Sequence, residues 1–285
     1  MFNRLSRSWH LVKASWAVLK QDQQLLVFPL ISAMAALVVV VSFALPLLGL
    51  GALDGLSDRG GSAVSMATYL VGFLFYVCLY FVIFFFNAAL VGAAMIRFDG
   101  GVPTVRDGLR VASSKFGSIL GYAIIAATVG VVLRAIQERV GFIGRMIVGM
   151  LGVGWTVATY LVVPILVTRD AGPIEAVKES ATILKKTWGE NVVGQAGMGV
   201  AFALIHFFIV VFGIMLVVAA ATTGSGALIG LAVFAVVAGV ILAALVQAAL
   251  GGIYAAALYR FATQGGTASN GFDANALQMA FAPKA

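Results

Sequence analysis

Long stretches of the chain carry no charge, and they alternate with short segments that gather nearly all of its Lys, Arg, Asp and Glu. Six apolar runs stand out, at about residues 25–50, 66–96, 116–133, 146–168, 192–221 and 227–259. Each meets or exceeds the roughly 18 residues that a spanning helix needs. No charged residue separates the last two runs; one helix covering both would be far too long for a bilayer, and Thr222–Gly226 (TTGSG) supplies the turn between them. The runs are continuously apolar, which excludes a transmembrane barrel built from alternating strands. The predicted fold is all-α: a polytopic bundle of about six transmembrane helices in one membrane domain over residues 1–262. A flexible tail with a short amphipathic end follows over 263–285. Pro164 should kink the fourth span near one end.

The polar segments have a pattern of their own. Ile174, Val177, Ala181, Leu184 and Trp188 are spaced three, four, three, four, which is one stripe of a helix. Glu175, Lys178, Glu179, Lys185 and Lys186 lie off that stripe, and Pro173 suits a helix start. The same spacing recurs as Val102, Val105, Leu109, Ala112 and Phe116, and again as Phe2, Leu5, Trp9, Val12 and Trp16. Three amphipathic surface helices are therefore predicted, each introducing a hairpin of spans. Their apolar faces would enter the acyl boundary, and their cations would face anionic lipid headgroups or a protein partner. The candidate binding surface is Arg4, Arg7, Lys13, Arg106, Arg110, Lys178, Lys185, Lys186 and Trp188.

Composition agrees with the pattern, at 62 % hydrophobic and 10 % charged residues. A net charge of +7 would suggest nucleic acid in a soluble protein, but here the cations orient spans and no nucleic-acid partner is expected. With six spans, one side receives fourteen Lys and Arg and the other only Arg59, Arg134, Arg139 and Arg145. The bias predicts that both termini are cytoplasmic. The Arg134–Arg145 turn is the dissenting element, its arginines snorkelling or pairing with Glu138. The first apolar run is too long for a cleavable signal sequence. Cys78 is the single cysteine, so neither a disulfide framework nor a thiolate metal site is expected.

Chemistry inside the membrane is sparse, with no charge at any span centre. The candidate polar interior is Asn87, Gln195, His206 and Gln247. His206 can exchange a proton near neutral pH, although hydrogen bonding between helices is the commoner use of such a residue. No cluster of ligands predicts a metal, and the Gly-rich runs lack the setting and lysine of a phosphate loop, so no cofactor or catalytic residue is assigned. Gly194, Gly197, Gly199, Ala201, Gly226, Gly230 and Gly251 are expected to let helices approach closely.

Three runs carry a family resemblance: PTVRDGLRVASSKFGSILGYAIIAATVGVVLRAIQER, GWTVATYLVVPILVTRDAGPIEAVKESATILKKTWGEN and GFDANALQMAFAPK. Together they resemble an uncharacterised family of bacterial six-span inner-membrane proteins. The resemblance implies the multi-pass architecture and the inner membrane, and it brings no activity or site residues. The leading expectation is a non-enzymatic membrane scaffold that binds lipid headgroups or a protein partner through its surface helices. The alternative is a small-molecule or lipid transporter or channel with a polar path in the bundle.

Overall fold

A computed structural model describes residues 15–49 and 66–264. The helices are α1 (residues 15–21), α2 (Val27–Gly49, entered through a 3-10 turn at Gln23–Leu26), α3 (Met66–Phe98) and α4 (Val105–Ser114). They continue as α5 (Phe116–Arg139), α6 (Phe142–Ala158), α7 (Val162–Thr168), α8 (Pro173–Thr222) and α9 (Gly226–Gln264). No strand occurs among the described residues. Six stretches are long and apolar enough to cross a membrane: Gln23–Leu45, Leu70–Phe98, Phe116–Arg139, Phe142–Thr168, Met198–Thr222 and Gly226–Arg260. The chain is a multi-span helical membrane protein.

α3 is the central post, touching α2, α4, α5, α7 and α9. Its aromatic run explains why: Phe75 meets Phe43 of α2 edge-on at 5.4 Å, Phe81 meets Phe116 at 4.8 Å, and Phe84 stacks on Tyr122 of α5 at 4.5 Å. Such pairs add directional attraction where water supplies no drive for helix association. α8 and α9 form the closing antiparallel hairpin, turned at Gly224, whose φ of +69° is left-handed and suits glycine.

Buried residues gather at one end of the bundle. They include Val18, Leu19 and Phe28 near the chain start, Ala88–Phe98 of α3, Leu161–Leu166 around the start of α7, and Ala249–Tyr259 of α9. The opposite halves of α2, α8 and α9 leave large apolar side chains such as Leu37, Phe212 and Phe234 exposed, as lipid-facing surface requires. The core end is also the basic end, because residues 15–22, 97–115, 169–185 and Arg260 all meet there.

Close approach uses other glycines than those expected from sequence. A β-carbon on Gly199, Gly226, Gly230 or Gly251 would meet nothing within 4 Å, so none of them is required by a close helix contact. The intimate contacts are at Gly92, Gly108, Gly121, Gly213 and Gly252. A β-carbon on Gly252 would stand 2.5 Å from Leu90, and one on Gly213 2.6 Å from Val236. Gly194 and Gly197 have side-chain environments outside the described set. The tail from 265 onward and the loop over 50–65 lie outside the described residues too.

The fourth span is broken. Pro164 lacks the N–H that would bond the Tyr160 carbonyl, and the helix stops at Ala158 and resumes at Val162. At the break, Ser180 Oγ donates to the Ala158 carbonyl at 2.7 Å and accepts from the Leu161 N–H at 3.1 Å. Ser180 is fully buried, so one hydroxyl from α8 splices the two pieces. The expected kink exists, displaced toward the chain start from the proline itself.

Candidate functional site

The basic end is assembled by ion pairs between segments far apart in sequence. Arg97 Nε lies 2.9 Å from the Asp22 carboxylate and Arg97 also donates to Gln21 at 3.0 Å, which joins the end of α3 to the entry of α2. Arg260 reaches Asp99 at 2.6 Å. Lys115 bonds the Asp170 carboxylate at 3.2 Å and the Arg169 carbonyl at 3.0 Å, and Arg169 pairs with Glu179 at 2.8 Å. Exposed pairs of this kind contribute little singly. Asp22 and Arg97 are the exception, with side chains only 10 % and 25 % exposed. Asp22→Ala should therefore lower the melting temperature in detergent, by about 2 kcal/mol of stability, less than the 3–5 typical of a fully buried pair. An unchanged midpoint would show that Arg97 is content with Gln21 alone.

Each surface segment is docked on the bundle through its own face. In α4, Gly108 and Ala112 are buried and Val105 and Leu109 half-buried, with Gly108 against the Phe28 ring and the Ala89 carbonyl. In α8 the buried face is Ala176, Ser180 and Leu184. α1 buries Ser15, Val18 and Leu19. The predicted apolar stripes are thus split: Leu184 and Ala112 serve the core, while Ile174, Val102, Phe116 and Trp16 stay exposed, Val102 by 74 % and Ile174 by 62 %. Lys20 lies 5.7 Å over the Trp16 ring.

The start of α4 is a capping box that the sequence reading overlooked, although Thr104 and Asp107 have its spacing. The Thr104 hydroxyl and backbone N–H both bond the Asp107 carboxylate and, with Arg110 and Arg106, hold its pKa below the ordinary carboxylate value. The sign follows from linkage: this support for the helix start is present above the unfolded carboxylate pKa and is lost as pH falls through the folded one.

Among the predicted surface residues, Arg106, Arg110, Lys178 and Lys185 are exposed on these docked helices. Only Arg110 has an ion-pair partner, Asp107 at 3.5 Å; Arg106, Lys178 and Lys185 have none among the described residues. Arg4, Arg7 and Lys13 lie outside the described residues, as do the side chains of Lys186 and Trp188.

The predicted polar interior is not gathered into one place. His206 Nδ1 lies 2.8 Å from the Phe202 carbonyl of its own helix. Contacts of Gly213 with Val236 and of Gly239 with Ile209 set the hairpin register. That register puts Gln247 about level with residues 201–202, a turn nearer the basic end than His206. Asn87 faces Gly252, more than a turn further on, its Oδ1 3.1 Å from where a β-carbon would be. Gln195 lies outside the described side chains. His206→Leu should accordingly leave the melting temperature within about 0.5 kcal/mol of the native chain. A large loss would reveal a partner across the bundle.

The polar groups that do converge are at the broken span. The Thr159 hydroxyl donates to the Trp155 carbonyl at 2.8 Å, the Tyr160 hydroxyl lies 3.4 Å from the Gly251 carbonyl, and Ser180 closes the break. Sequence reasoning missed this junction; Pro164 was the only available signal. No group of three His, Cys, Asp or Glu side chains suited to a metal occurs among the described residues.

Residues 66–270 match a family described as "Family of unknown function (DUF6159)". No curated protein matches the chain.

Proposed function

Since the chain belongs to DUF6159, a family of unknown function, we propose a function from its geometry: a non-enzymatic scaffold of the bacterial inner membrane. Both termini are cytoplasmic in this reading, and the basic end is a platform that binds lipid headgroups or a protein partner at the inner leaflet. The observation that carries it is the rigid presentation of Arg106, Lys178 and Lys185, exposed and outside ion pairs among the described residues, on helices held by buried contacts. Cations fixed in this way serve binding at an anionic surface, and their side orients the chain.

One feature favours transport as a second reading, because discontinuous spans often frame substrate sites. Here Ser180 bonds both sides of the break, and Asn87, His206 and Gln247 lie at different levels of the bundle, which supports the scaffold reading over transport.

The test is site-directed labelling in a Cys78→Ser background. Lys178→Cys should resist a membrane-impermeant maleimide in intact cells and react once the cytoplasmic side is opened. Labelling from outside would overturn the orientation. Solute flux into proteoliposomes that is lost in Asn87→Ala would replace the scaffold by a transporter.

A further inference from the structure

α8 contains fifty residues, about 75 Å of helix, more than twice the roughly 30 Å thickness of a hydrocarbon layer. Its charged residues all lie in the first part, over residues 173–191, and among the described residues the span is Met198–Thr222. Contacts of the first turns show where they go. Pro173 fills the space beside Gly121, five residues into α5, where a β-carbon would stand 2.8 Å from its Cγ. Seven residues later, Ser180 is bonded to Ala158 and Leu161. The first two turns of α8 therefore pass from contact with the third span to contact with the fourth.

The depth of these turns decides what can reach them. Gly121 and Leu161 both lie inward of the ends of their spans at Phe116 and Thr168. α4 lies at a similar depth, since Gly108 meets Ala89, nine residues inward of Phe98. Ile174, Val102 and Phe116, on or beside these two helices, are exposed, as side chains that insert among acyl chains would be. Lys178, Lys185, Arg106 and Arg110 extend from the same two helices, and their long stems bring charge up to the phosphate layer.

We infer that α4 and the first turns of α8 form an in-plane site for anionic phospholipid headgroups, with Arg106, Arg110, Lys178 and Lys185 as the phosphate-facing cations. This rests on the scaffold reading above and names the ligand of its platform. A soluble protein partner fits less well, because it would have to enter the headgroup layer to touch these side chains.

The test uses the full chain reconstituted in nanodiscs of phosphatidylcholine with phosphatidylglycerol. Native protein should retain phosphatidylglycerol through delipidation, and Arg106→Glu/Arg110→Glu/Lys178→Glu/Lys185→Glu should retain about fivefold less. Equal retention by both would overturn the site. A second measurement avoids any folding defect of the fourfold variant: a spin label at Thr182→Cys in the Cys78→Ser chain should report headgroup depth by its relative accessibility to oxygen and to a nickel chelate. Bulk-water accessibility would overturn the in-plane placement. If a photo-crosslinker at that position captures a soluble protein while lipid retention is unchanged, the headgroup site falls and the scaffold stands. Labelling of the same position from outside intact cells removes both.

Discussion

Gly108→Val is expected to be among the most damaging single substitutions in the chain. The new β-carbon would stand 2.5 Å from the Phe28 ring and 2.6 Å from the Ala89 carbonyl oxygen. The ring could swing aside; the carbonyl belongs to α3 and could move only with that helix. α4 would have to lift off the bundle, carrying Ala112 with it. Overpacking of this kind costs about 1–3 kcal/mol, and the backbone clash puts this site at the upper end. Thermal unfolding in detergent measures it, with Gly230→Ala as the control. Gly230 faces open space, so alanine there should be neutral or should stabilise by up to about 1 kcal/mol through helix propensity. Equal midpoints for the two variants would mean that α4 does not pack as described.

Ser180→Ala should have the second large effect, for a different reason. It removes no appreciable volume but leaves the buried Leu161 N–H and Ala158 carbonyl without the partner that bridges them. An unsatisfied buried group costs about 1–3 kcal/mol. The loss should also be local: hydrogen exchange at the Leu161 amide should accelerate well before that of Ile253 on α9. Unaltered protection of residues 159–162 would show that the break is held by packing alone, and the splice would lose its role.

These two sites mark the boundary of what the sequence makes legible. The spans could be read because hydropathy accumulates along one dimension: a charge-free run needs no knowledge of its neighbours to exclude water. The segments over 105–114 and from 173 onward were legible as helices for the same reason, since a three-four spacing is local. Their packing was not, because which face is buried depends on the neighbours. Ile174 and Leu184 occupy one predicted stripe, yet one is exposed and the other belongs to the core. Likewise Gly230 and Gly252 are indistinguishable in the sequence until α3 is set beside α9. Asp22 and Arg97, or Asp99 and Arg260, become partners only when the topology brings span ends together. Side-chain hydrogen bonds follow the same division: His206 bonds within its own helix, whereas Ser180 bonds across to another, and nothing local distinguishes it from other serines.

The concentration of packing at one end has a mechanical consequence. Bilayers differ in thickness by several ångströms, and a rigid bundle meets a mismatch only by tilting as a whole or by deforming the lipid. Here the hairpin of α8 and α9 beyond about Phe202 leans mainly on itself, and the far half of α2 exposes Leu37 and Leu45 while touching α3 through Phe43. Those segments can change their inclination while the joined end keeps its geometry. A chain built this way behaves as a plug of fixed shape on one face with compliant legs beneath it, able to hold the same surface in thin and thick membranes alike.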